Sequence, residues 1–231
     1  MSINRFALRL AAVAALTNNG KAPYPTLCGE RIYDSRIDSV EALAAVNGPN
    51  PFITVYTDRS VNLWRGQIVK DSPRTVHLFI ETSVAICEQQ GSMIGDGEEY
   101  DISVPLTDSE LETTLDIIGT QVRRALFSFE PFAKLSQGLV RVEENRAAAS
   151  DGQRLAVYFT DAEISVFSDP DNGRVPDYLK PLIEKLAENP EYGGHASILE
   201  KLCTDPAALS AAEIRQVYQQ WPSSIAKTLG Y

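Results

Sequence analysis

Histidine is the commonest general base near neutral pH, and this chain carries two, His77 and His195. His77 stands within an alternating apolar run, where a strand-face imidazole is usually structural. His195 follows Gly193-Gly194 in what reads as a loop, with no motif around it. The three cysteines, Cys28, Cys87 and Cys203, are far apart. None has CxxC or Cys/His ligand spacing, so zinc is not indicated. They read as small buried thiols, and the odd count leaves room for one intermolecular disulfide. Carboxylates are adjacent at Glu98-Glu99 and Glu143-Glu144 and close at Asp169/Asp171. With 31 Asp and Glu residues such pairs arise by chance and read as solvated surface. DPDNG (169–173) has a faint look of a calcium loop but lacks the EF-hand spacing and terminal Glu. GSMIGDG lacks the strand-to-helix setting of a phosphate cradle. No nucleophile elbow, Walker loop, HExxH or dinucleotide fingerprint occurs. The expectation is a protein that is not an enzyme and holds no cofactor or metal. The alternative is an enzyme without a familiar motif that works through a Cys or a carboxylate.

The chain has 231 residues, 44% hydrophobic and 23% charged, an ordinary globular mix. Its net charge of −10 and pI near 4.7 argue against binding the nucleic-acid backbone, which needs clustered Lys and Arg. The densest basic spot, Arg123-Arg124, suits the C-terminal end of a helix. The opening MSINRFALRLAAVAALTNNG imitates a signal peptide, which would make the protein an exported binding module. However, Arg9 interrupts the apolar run and no small-x-small cleavage site follows. Ile3, Phe6, Leu10, Val13 and Ala14 instead mark one face of an amphipathic helix. No segment reaches transmembrane length.

Strands are expected over roughly 30–35 and at PFITVYTD (51–58), with a short helical turn over 38–46 between them. RTVHLFIETSVAICEQ (74–89) alternates most clearly: Val76, Leu78, Ile80, Thr82, Val84 and Ile86 face one way, Thr75, His77, Phe79, Glu81 and Ser83 the other. A polar tip, 89–99, leads to a returning strand at YDISVPL. Residues 107–127 form the best helix, capped by Thr107 and Glu110, with Leu111, Leu115, Ile118, Val122 and Leu126 on one face. Strands at 139–146 and 153–167 flank Asp151-Gly152, a hairpin dipeptide. Helical segments follow, one including His195's neighbours Ile198, Leu199 and Leu202, and a last one opening on the Ser210/Glu213 capping box. This order predicts an α+β fold: a mainly antiparallel sheet packed with an N-terminal and a central helix, plus a C-terminal helical extension. The expected division is a core over 1–169, a linker over 170–176 and the extension over 177–231.

RIYDSRID (31–38) followed by PFITVYTD (51–58) resembles the tail terminator (minor tail or tail-completion) proteins of tailed bacteriophages. There an N-terminal helix precedes strands of the types R-V-Y-D-S-R-x-D and P-x-I-x-V-Y-T-D. The matching residues are Arg31, Tyr33, Asp34, Ser35, Arg36 and Asp38, then Pro51, Ile53, Val55, Tyr56, Thr57 and Asp58. The likeness covers residues 1–167 in layout, and the two early motifs are its specific part. It implies a structural protein of the virion, in the neck region of the tail, assembled in the host cytoplasm. Such proteins form a hexameric ring on the head-proximal end of the tail tube, stop its polymerisation and face the head-completion proteins. The implied partners are further copies of this chain, the tail tube protein and a head-completion or neck protein, with no membrane. DNA would pass through an acidic bore without specific binding, with Asp96, Glu98 and Glu99 as candidate lining. Arg31, Asp34, Arg36 and Asp38 are the candidate contacts between subunits or with partners, where charges set register and partner choice. The other reading of these four is a local surface ion-pair ladder worth little stability.

Overall fold

The computed structural model describes residues 2–35, 51–62, 74–84, 88–89, 100–101, 108–148, 156–170, 173–189 and 192–220. The chain begins with a helix, α1 (Ile3–Leu16), and a short strand, β1 (Ile32–Asp34). The long strands β2 (Phe52–Asn62) and β3 (Arg74–Val84) follow, then a two-residue pair, β4 (Glu88–Gln89) with β5 (Tyr100–Asp101). Two helices, α2 (Asp108–Ser128) and α3 (Glu130–Leu135), lead into β6 (Ser136–Ala148) and β7 (Ala156–Val166). Helices α4 (Lys180–Ala187), α5 (Gly193–Thr204) and α6 (Ala211–Gln220) end the described chain, with a 3-10 turn at Pro206–Ala208.

The fold is α+β. Five strands form one sheet in the order β1-β2-β3-β7-β6, antiparallel except at its β1 edge. There β1 runs parallel to β2, with Ile32 opposite Ile53, Tyr33 opposite Thr54 and Asp34 opposite Val55. This parallel pair is not visible in the sequence, because strand polarity depends on the path of the connection rather than on side-chain period. The period does set the faces. Val76, Leu78, Ile80, Thr82 and Val84 of β3 are buried against the helices, as their alternation predicts, while His77, Phe79 and Glu81 look the other way, half-buried. The turn at 38–46, the tip at 90–99, Thr107 and the hairpin bend at 151–152 lie outside the described residues.

Helix α2 buries Leu115, Ile118, Val122 and Leu126 of the expected stripe, and the Leu111 side chain lies outside the described ones. It continues to Ser128, so Arg123 and Arg124 lie short of its last turn, and Arg123 reaches Glu144 of β6 at 3.0 Å instead of serving the helix end. Helix α3 was not expected: Pro131 opens its first turn, and Phe132 and Leu135 enter the core.

Helix α1 departs most from its expected form. Besides the predicted face, Ala7, Leu8, Ala11, Ala12, Ala15 and Leu16 are buried, so the helix is enclosed rather than amphipathic. The sheet, α2 and α3 cover part of it, and α4 and α5 cover the rest. Leu179, Leu182, Leu186, Tyr192, Ile198, Leu199 and Cys203 belong to the same core as α1 and β3. Helices α4 and α5 are therefore a third layer over α1. At its end, Ser210 and Glu213 form the expected capping box: Glu213 N donates to Ser210 Oγ at 3.2 Å and Ser210 N to Glu213 Oε2 at 3.0 Å.

Candidate functional site

The two motif strands meet in space. Arg31 N is bonded to Cys28 O, and Arg31 O accepts from Ile53 N at 3.0 Å, which starts the β1–β2 ladder. The Arg31 guanidinium donates from Nε to Pro51 O at 2.9 Å and from Nη2 to Leu27 O at 3.2 Å. The first residues of RIYDSRID and PFITVYTD are thus tied directly to each other.

Helix α1 supplies two arginines, one helical turn apart, to the same strands. Arg5 Nε donates to Thr57 Oγ1 at 2.9 Å, and its Nη2 donates to Thr57 O. Arg9 Nε lies 2.6 Å from Asp34 Oδ1, with the two side chains only 14% and 3% exposed. The Arg9 guanidinium also stands 5.6 Å from the centre of the Phe6 ring. Burial pushes the Asp34 carboxyl above its ordinary range, while Arg9 and the Ser35 hydroxyl pull it back. Ser35 has φ of 52°, and its N donates to Val55 O at 2.8 Å, turning the chain off the strand end.

His195 joins this cluster from the far side. It lies in the first turn of α5, not in a loop, and is fully buried. Burial first, then the Arg9 charge, push its pKa down to about 4. A buried neutral imidazole beside a guanidinium is a packing element, and its low basicity makes it a poor proton acceptor at neutral pH.

The N-terminus of α1 is anchored by a second set of polar contacts. Asp169 Oδ1 accepts from Ser2 Oγ at 2.8 Å and from Asn4 N at 3.2 Å, and its Oδ2 meets Arg74 Nη1 at 2.6 Å. Asn4 Nδ2 donates to Phe167 O and Ser168 O, and Tyr178 OH donates to Asn4 Oδ1 at 3.1 Å. The first residue of DPDNG is thus a helix anchor. Asp171 lies outside the described residues.

Of the four residues expected to make contacts between subunits, Arg31 and Asp34 are both engaged within the chain, Asp34 almost wholly out of water. Arg36 and Asp38 lie outside the described residues. Sequence reading missed the role of Arg5 and Arg9. The signal was present as the interruption of an apolar helix by two arginines at i,i+4, which marks a polar stripe that must find partners.

The opposite face of the sheet holds the remaining chemistry. Tyr56 stacks on Phe79 at 5.3 Å and His77 on Phe79 at 6.3 Å. His77 Nδ1 lies 3.0 Å from Asp161 Oδ1 and 3.3 Å from Oδ2. A carboxylate at Nδ1 is how a catalytic imidazole is oriented. Among the described residues, however, no Ser, Thr or Cys side chain is hydrogen-bonded to His77. The Tyr56 hydroxyl is raised by burial and by Glu81, Asp58 and Asp161, and the Glu81 carboxyl is raised by burial. Burial pushes the Cys28 thiol to about 12 and the Cys203 thiol to about 11, so neither is a thiolate at neutral pH. Cys87 lies outside the described residues. No three His, Cys, Asp or Glu side chains among the described residues converge as a metal site would need. No described helix is long and apolar enough to cross a membrane.

Comparison with known proteins finds no family model that matches the chain and no curated protein that resembles it.

Proposed function

We propose that this protein caps the head-proximal end of a phage tail tube as a ring of identical subunits, ending tube growth and joining the tail to the neck. The observation that supports this reading is the union of its two motifs. Ile32–Asp34 of RIYDSRID and the strand of PFITVYTD are neighbours in the sheet, bonded through Arg31 and Pro51 and clamped from α1 by Arg5 and Arg9. Short motifs bound to one another at one sheet edge, with the neighbouring Cys28 thiol buried and protonated, suit an assembly protein better than an enzyme. The protonated state of Cys28 and Cys203 also weighs against a thiol enzyme.

On this reading the motif's charges divide their work. Arg31 and Asp34 hold the subunit together, and Arg36 and Asp38 are left for contacts between subunits. Light scattering of the native protein over a range of concentrations, with and without tail tubes, tests the proposal. A closed ring, or a chain that forms one only on tubes, is the expected result, and a chain that ignores tubes at every concentration overturns it. Charge reversal at Arg36 or Asp38 should weaken the ring with little effect on the unfolding midpoint. Reversal at Arg31 should lower that midpoint.

A further inference from the structure

Strand β6 closes one end of the sheet. Its 13 residues hydrogen-bond to β7 and to no other described strand. Leu139, Val140 and Val142 stand 45, 58 and 37% exposed along it. An open strand edge offers a row of amides and carbonyls to any strand that can pair with it, and natural edges are usually blunted by Lys, Pro or bulges. β6 has neither Lys nor Pro. Its two register irregularities, between Ser136 and Gly138 and between Leu139 and Arg141, leave the pairing with β7 continuous from Arg141 to Ala148.

We propose that β6 is a contact between two copies of this chain, paired antiparallel about a two-fold axis that passes through Val142 normal to the sheet. Within the regular run from Arg141 to Ala148 such an axis keeps every side chain on its own face, so opposed residues there must be an even number of positions apart. With the axis at Val142, that residue meets its own counterpart. Arg141 then opposes the partner's Glu143, and Glu143 the partner's Arg141, both on the face away from the helices. Opposite charges directly across an antiparallel pair stabilise it. An axis at Glu143 or Glu144 would set a carboxylate against itself. One at Asn145 would oppose Glu144 and Arg146 but leave Leu139 and Val140 outside the contact.

The charge pattern also selects the occupant. The chain carries −10 overall, yet β6 balances Arg141 and Arg146 against Glu143 and Glu144. A second copy therefore meets no net repulsion there, and no strongly acidic or basic stranger is attracted. Arg141 and Glu143 already touch within one chain, with side chains 65% and 44% exposed. Exchanging that contact for the same one across the axis demands little new desolvation. A two-fold contact is isologous and stops at a dimer, whereas a ring needs two different surfaces. The pairing is thus independent of the tail-tube ring, and it covers an edge that no other described strand pairs with.

The test uses the full chain without tubes. Val142→Cys under mild oxidation should join to itself in most molecules, whereas Gln137→Cys and Asn145→Cys should not. Sedimentation of the unaltered chain should give twice 25.4 kDa at micromolar concentration. Arg141→Glu should weaken the pair roughly tenfold or more, and Arg141→Glu with Glu143→Arg should restore it. A monomer at all concentrations overturns the proposal. So does a Val142→Cys chain that joins no better than Gln137→Cys, or a dimer indifferent to Arg141→Glu. None of these outcomes bears on whether the chain caps tubes, which is read from the mass with tubes added.

Discussion

Asp34 and Arg9 form a charge pair almost wholly removed from water. Such a pair matters less for what it adds than for what its disruption costs. Asp34→Ala would leave the Arg9 guanidinium buried without its counter-charge and should cost about 3–5 kcal/mol in chemical denaturation. Arg9→Met combined with Asp34→Leu should recover most of that. His195 gives the fold an acid limit. Its pKa is about 4 in the folded protein against an ordinary 6.5, so the unfolded chain takes up that proton first. The stability this supplies is complete above pH 6.5 and drains away as pH falls toward 4, by up to about 3 kcal/mol. Asp34, raised in the folded state, acts in the opposite sense, since its protonation favours folding. Urea titrations at pH 7 and 4.5 should therefore show His195→Gln losing less stability than the unaltered chain over that interval. Gly20 is a third test. It follows Asn18 and Asn19 with all three at positive φ, and a Cβ there would overlap Asn189 Nδ2. Gly20→Ala should cost about 1–3 kcal/mol, read from the thermal midpoint with the calorimetric enthalpy. At this scale the sequence spoke clearly about residue types and hardly at all about partners. RIYDSRID is legible as a charged motif, but the inward turn of Asp34 depends on Arg9, which no local pattern connects to it.

Helix α1 shows how an element's character is set by what surrounds it. Its sequence predicts a helix correctly, and Ser2 caps it by accepting from Arg5 N. The expected single apolar face was an underestimate, because the alanines between the large side chains let neighbouring elements approach on every side. One of those neighbours, α5, places Leu199 in full burial. Leu199→Ala should cost about 2–5 kcal/mol, the usual range for an emptied leucine site. A loss below 1 kcal/mol would mean that α5 rests on the surface of the core rather than forming part of it. The long strands were more legible than the helix. A strand buried on one face repeats every two residues, and β3 keeps that rhythm from Val76 to Thr82, after which Ser83 is buried as well. β1 was legible only as a strand, with its direction hidden.

For the whole molecule, the question is whether residues beyond 176 are an appendage or a layer. They contribute Leu179, Leu182, Leu186, Ile198 and Leu199 to the core that also holds α1. A chain ending at residue 176 should therefore lose cooperative unfolding by circular dichroism and bind a hydrophobic dye at neutral pH. A truncated chain with a sharp transition would support the division into a core over 1–169 and a separate extension. Sequence alone determined the α+β class, the sheet's mainly antiparallel character, the faces of β3 and the cap at Ser210. The strand faces and the cap are written in side-chain period or in residues three or four apart, and the antiparallel pairing in the element order and the short hairpin connections. Tertiary structure alone decided the parallel β1–β2 pair, the closing of α1 from both sides and the inward pairing of Asp34. Those depend on contacts such as Ser2 with Asp169, 167 positions apart. At that distance chain geometry, not local pattern, chooses which groups meet, because only the assembled core can exclude water from the pair.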